Sequence, residues 1–151
     1  MSNVTADLSD LEGWTAAMAK KPALLRREIA NTMTSAAMLS AATAIDAAPR
    51  DLGILVTGIV AMPGRWIGDS VKSAFVSTAP YSRIVEEGRG PIVAKKGKFL
   101  RFYSKKHGKV IYRRSVGPAA PRPFMARGRD WAQRNLRAML QAKVRKVLAS
   151  R

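Results

Sequence analysis

The clearest pattern lies between Pro22 and Ala47, where Leu25, Ile29, Met33, Ala37 and Ala41 recur every four residues and Ala44, Ile45 and Ala48 extend the stripe. That recurrence puts side chains on one face of an α-helix. No Gly or Pro interrupts it, and Pro22 suits a first helical turn. Alanine combines the highest helix propensity with little bulk, so this helix can approach a sheet or a second helix closely. It must end before Ala48-Pro49, because a residue ahead of proline is pushed out of the helical region. Upstream, Leu8, Leu11, Trp14 and Ala17/Met18 are three or four apart, with Ser9 and Glu12 spaced as a capping box. This predicts a short amphipathic helix over 9–19, preceded by a flexible N-terminus over 1–8.

Beyond Pro49 the period shortens. Ile54 to Met62 and Ser70 to Thr78 are rich in Val, Ile, Thr and Phe and read as two strands, separated by turn chemistry at Met62-Pro63-Gly64-Arg65-Trp66. Tyr81 to Glu87 reads as one or two helical turns stopped by Gly88, and Gly88 to Gly97 as a loop. Phe99-Leu100-Arg101-Phe102-Tyr103 and Val110-Ile111-Tyr112 then flank a basic tip, Ser104 to Lys109. This predicts a projecting β-hairpin in which Gly108 takes a positive φ. After a Pro/Ala/Gly connector over 116–123, Ala132, Leu136, Leu140, Val144 and Val147/Leu148 form the buried stripe of a last helix over 124–149, opposite Asp130, Arg134, Arg137, Gln141 and Arg145. The order of elements implies a single α+β domain over 1–151. In it, a long N-terminal helix and a C-terminal helix pack on a small antiparallel β-sheet.

Charge changes this picture through its distribution. Residues 1–94 hold nine Lys/Arg and nine Asp/Glu, whereas residues 95–151 hold eighteen Lys/Arg and one acid, Asp130, and so carry the whole net charge of +17. Such asymmetry predicts a strongly positive surface over one part of the fold, suited to nucleic acid or an acidic protein; the plainer alternative is a solvated basic face that aids solubility. Lys95, Lys96, Lys98, Arg101, Lys105, Lys106, Lys109, Arg113 and Arg114 are the candidate contacts. With no cysteine, neither disulfides nor cysteine metal sites are available. No basic segment followed by an apolar one opens the chain, so no secretion signal is expected. The uncharged run from Ile29 to Ile45 is too rich in Ala, Ser and Thr to predict a membrane helix.

Catalytic chemistry finds little to work with. His107, the single histidine, lies in the hairpin tip among lysines and reads as a turn residue. Glu86-Glu87 is the only adjacent acidic pair in the sequence, and consecutive helical residues point about 100° apart, so they do not face each other as an acid/base dyad. The expectation is one glutamate in solvent and one paired with a local arginine. Gly88-Arg89-Gly90-Pro91 matches neither phosphate-binding glycine pattern, and no G-x-S-x-G is present. No catalytic, cofactor or metal residue is assigned. Phe99, Phe102, Tyr103 and Tyr112 interleave with basic residues as in a stacking platform for single strands. The expectation, however, is that they form the buried and half-buried face of the hairpin. Sequence-specific recognition is not expected, since no helix-turn-helix or zinc-finger pattern is visible.

Three segments taken in order carry a resemblance. They are Ala48-Pro49-Arg50-Asp51-Leu52-Gly53-Ile54-Leu55, Ala79-Pro80-Tyr81-Ser82-Arg83-Ile84-Val85-Glu86-Glu87-Gly88, and Pro121-Arg122-Pro123-Phe124-Met125. The chain resembles, over about residues 8–148, the head–tail joining (neck or tail-completion) family of long-tailed bacteriophages and prophages. The family pattern is a helix ending in A-P-x-D-T-G-x-L, a strand, a Y-A-x-x-V-E-x-G turn, and P-F-L/M before a C-terminal helix. Leu52 stands where Thr is usual, Ser82 replaces Ala, and the stretch from Lys95 to Lys109 is more basic than the pattern requires. The resemblance implies a ring, most often of six copies, placed in the virion between the head connector or stopper and the tail tube or terminator, and made in the host cytoplasm. DNA in the channel is a further partner, and no membrane is involved. Pro49, Asp51, Gly53, Tyr81, Glu86, Gly88, Pro123 and Phe124 are then fold determinants. Pro49 stops the helix, Asp51 bonds turn N–H groups, Gly53 permits a sharp entry into a strand and Phe124 plugs the core. A free, non-specific nucleic-acid-binding protein is the alternative function.

Overall fold

A computed structural model describes residues 22–50, 53–95, 98–104 and 107–149, together with the backbone of 2–5. The elements are β1 (Ser2–Thr5), α1 (Pro22–Ala47), α2 (Ile54–Thr57), β2 (Ile59–Ile67), β3 (Ser70–Ser77), α3 (Ser82–Glu87), β4 (Ile92–Val93), β5 (Leu100–Ser104), β6 (Lys109–Arg113), β7 (Ser115–Val116) and α4 (Phe124–Ala149). The helix expected over 9–19 lies outside the described residues, as do Asp51, Lys96, Lys105 and Lys106.

The α+β architecture follows from the two long helical stripes. α1 is the centre of the body, packed against α4 and against β2 and β3. Leu25, Ile29, Met33, Ala37, Ala41 and Ala44 face inward from α1, and Ala132, Leu136, Leu140, Val144 and Val147 from α4. Small residues let the backbones close up. A Cβ on Gly128 of α4 would strike the Ser40 carbonyl of α1 and sit 2.9 Å from Cζ of Phe75 in β3. Ser40 is fully buried at this crossing and satisfies its hydroxyl on the Ala36 carbonyl (2.7 Å), so its burial leaves no open donor.

The main sheet has the order β1-β3-β2, antiparallel throughout. Residues 2–5, expected within a flexible terminus, instead pair with β3 from Ser2↔Phe75 to Thr5↔Lys72. Without them that edge of β3 would expose a row of unpaired N–H and C=O groups.

The strand over Ser70 to Thr78 forms as expected, but the start of the first strand and the turn after it need correction. Ile54–Thr57 is a helical turn, so Gly53 (φ 72°) opens a helix and not a strand. The Gly53 carbonyl accepts from Thr57 N (3.0 Å), and the turn drives Leu55 into the core, a packing gain that overrides the β-preference of Ile and Val. Met62 to Trp66 is not a turn. β2 runs through it with a bulge between Met62 and Arg65, and the reversal comes at Gly68-Asp69 (Gly68 φ 61°). The bulge accommodates Pro63, which cannot donate to a ladder. It also presses Gly64 onto α1, where its N–H donates to Thr34 Oγ1 (2.8 Å) and an added Cβ would meet Met33 Cβ at 2.9 Å. At the far end Trp66 Nε1 donates to the Arg26 carbonyl (2.9 Å), while the Arg26 guanidinium lies 4.8 Å over the indole.

From Gly88 to Pro123 the chain leaves this body. None of the described residues in the interval is buried. The segment predicted as a loop is partly ordered as a two-stranded stalk. Arg89 and Ala119 exchange backbone bonds (3.0 and 2.9 Å), Ile92 pairs with Val116, and Ala94 N donates to the Arg114 carbonyl (2.8 Å). The predicted hairpin, β5 and β6, continues the stalk outward, with Leu100 opposite Arg113 and Ser104 opposite Lys109. Gly108 takes φ 61°, as its place in the tip demands. Among the described residues no helix is long and apolar enough to cross a membrane.

Candidate functional site

The segments that carry the resemblance converge on one corner of the body, where the arm is rooted. Pro49 and Leu55 of the first, Tyr81, Ile84 and Val85 of the second, and Arg122 of the third line a single open cavity of about 450 Å³. Backbone bonds close the junction: Ser82 N donates to the Ala79 carbonyl (3.0 Å) and Arg122 N to the Val85 carbonyl (2.9 Å). Gly88 has φ 75° and ψ −176°, a conformation essentially reserved for glycine. A Cβ there would lie 2.7 Å from the Ala119 carbonyl oxygen and 2.8 Å from Pro121 N. Gly88 is thus both the end of α3 and the point where the outgoing and returning strands of the stalk meet.

Glu86 is not in solvent, contrary to expectation. Its carboxylate accepts from Met125 N (Oε2, 2.9 Å) and from Ala126 N (Oε1, 2.9 Å), and so holds the first turn of α4. An α-helix begins with four N–H groups that have no partner within it. Here Pro123 has none to offer, Phe124 N turns back to the Arg122 carbonyl (2.9 Å), and Glu86 takes the next two. The negative charge also opposes the positive end of the helix dipole. Glu87 behaves as expected, accepting from Arg83 Nε at 3.0 Å one turn away. Phe124 is 1% exposed and plugs the core as predicted. Tyr81 is a half-buried anchor, but its hydroxyl is buried and has no hydrogen-bond partner among the described residues. Gly128 was not singled out from the sequence, although a glycine one turn ahead of Ala132, in line with the buried stripe, was a signal of a close crossing.

The basic candidates lie apart from this corner, on the arm. Lys95, Lys98, Arg101, Lys109, Arg113 and Arg114 are all exposed, and none of these six enters an ion pair among the described residues. His107 is an exposed turn residue whose N–H donates to the Ser104 carbonyl (3.2 Å). The expectation that the aromatics form a buried hairpin face fails. Phe99, Tyr103 and Tyr112 are 56%, 63% and 60% exposed, and Phe102 is 38% exposed. The reason is positional: the hairpin is carried on the stalk beyond the reach of the core, so neither of its faces is fully covered.

Among the described residues, no group of three or more His, Cys, Asp or Glu is placed to hold a metal ion. No protein-family model, curated protein or solved structure matches the chain.

Proposed function

We propose that this protein is a structural subunit of a bacteriophage head–tail junction, a neck or tail-completion component that joins the DNA-filled head to the tail. It acts by shape and charge and performs no catalysis. The observation that carries the reading is the convergence of the three ordered motif segments on the one corner that roots a basic arm. Residues shared by motif and corner are those that orient the arm relative to the body. A connector needs such a part, because its work is to hold one contact surface at a fixed angle to another.

In this reading copies of the chain form a ring, with six as the expected number, built by repeating one heterologous contact until it closes. The body provides the ring and the arm reaches along or into the channel, toward a neighbouring ring of head or tail proteins or toward DNA. Complementary charge then steers the docking and selects the partner. The protein is made in the host cytoplasm and ends in the virion.

Electron microscopy of particles assembled without this chain tests the reading. DNA-filled heads beside finished, unattached tails are the expected result, and abnormally long tails would place the subunit at the tail end as a terminator. Normal intact virions would refute a junction role.

A further inference from the structure

We propose that the open face of the β5–β6 hairpin is a binding site for single-stranded nucleic acid, in which Phe99, Tyr112 and Tyr103 stack on bases and the surrounding Arg and Lys side chains hold phosphates. Residues opposite one another in an antiparallel pair share a face. One face therefore carries the rows Arg101–Tyr112 and Tyr103–Val110. The Arg114 guanidinium, 5.7 Å over the Phe99 ring, adds a third row at its base. Each row holds one ring, and in two rows its neighbour is an arginine. The opposite face, with Leu100, Phe102 and Ile111, is the less exposed of the two.

Charge decides the class of ligand. From Lys95 to Val116 the chain holds nine Lys/Arg and no acid, so the surface complements a polyanion and repels a second copy of the same arm. The rings decide between polyanions. Successive rows on one face are two residues apart, roughly 6.8 Å, which is about twice the ~3.4 Å spacing of stacked bases. Bases inside a duplex are stacked on each other and cannot meet rings at that interval, whereas an unpaired strand can open to it. Solvent-exposed aromatics interleaved with arginine are the combination that single-strand binders use, and the arrangement reads no sequence because every base offers a π-face. The hairpin itself gains from the contact, since two strands alone are only marginally stable in water. Such binding is a property of the chain itself, inside a particle or out of one.

The test is fluorescence anisotropy with the full chain and a labelled oligothymidylate of about twelve nucleotides, against a duplex of the same length. The single strand should bind more tightly than the duplex. Its affinity should fall with salt along a log–log slope of about −3, for four or five phosphate contacts. Tyr103→Ala and Tyr112→Ala should each weaken binding roughly five- to hundredfold, while Tyr103→Phe, which keeps the ring, should retain it. Circular dichroism of the variants reports whether the body is intact. Equal affinity for the duplex, or indifference to removal of the rings, would overturn the proposal in favour of plain phosphate attraction. Binding to neither probe would overturn it in favour of an acidic protein as occupant of the arm.

Discussion

Removing the Glu86 carboxylate should loosen the corner on which the arm and α4 both depend. In Glu86→Ala the N–H groups of Met125 and Ala126 lose their acceptor, two contacts of 2.9 Å each to a charged group. Hydrogen bonds to charged groups contribute about 1.5–3 kcal/mol each when nothing replaces them. Here something does, because Glu86, Met125 and Ala126 border an open cleft of about 420 Å³ that admits water. The cost therefore falls toward the range of a lost helix cap, about 0.5–2 kcal/mol, plus up to about 1 kcal/mol of lost interaction with the helix dipole. A destabilisation of about 2 kcal/mol is the expected sum, or roughly 4–8 °C in Tm for a chain of this size. Glu86→Gln keeps one acceptor oxygen but turns an amide donor toward the second N–H, and should lose about half as much. Urea unfolding followed by circular dichroism measures both, with the slope m showing whether the denatured state has changed. If Glu86→Ala unfolds within about 0.5 kcal/mol of the parent, the range of an ordinary surface change, the carboxylate does not hold α4 and the capping argument fails.

Two glycines should resist even the smallest enlargement. Gly128→Ala gains about 1 kcal/mol of helix propensity, yet its methyl would meet the Ser40 carbonyl and the Phe75 ring; overpacking of 1–3 kcal/mol or more should win, so urea titration should show a net loss of stability. Gly88→Ala combines a strained φ with contacts under 3 Å to Ala119 and Pro121, and should cost of order 3 kcal/mol, with proteolysis of the arm rising before the body unfolds.

How much of this was legible depends on how local each cause is. The two long helices were read correctly to their ends, since their stripes, the proline after Ala47 and the Pro123-Phe124 entry are all signals within a turn of the boundary. The β5–β6 hairpin and the positive φ of Gly108 were legible for the same reason. Between Gly53 and Trp66 local signals pointed the wrong way. Ile-Leu-Val-Thr has strand composition, and Pro63-Gly64 has turn composition. The body needed Leu55 inside the core and Gly64 against α1, and long-range packing prevailed in both places.

Glu86 shows the limit most directly. Its partners are 39 and 40 residues away, so the sequence showed an acidic pair after a tyrosine while the capping role came only from the corner that unites the motifs. The hairpin aromatics show another. The ring–arginine–ring order at positions 99, 101 and 103 was visible, but period two is the same whether a face is covered or bare. What covers a face is settled by where the strand sits relative to the core. By itself the sequence determined the α+β class, the long helices and an arm bearing nine positive charges, because these depend on neighbours along the chain. Only the tertiary structure decided that the rings of the projecting arm lie bare on one of its faces, because that depends on how far from the core the stalk places them.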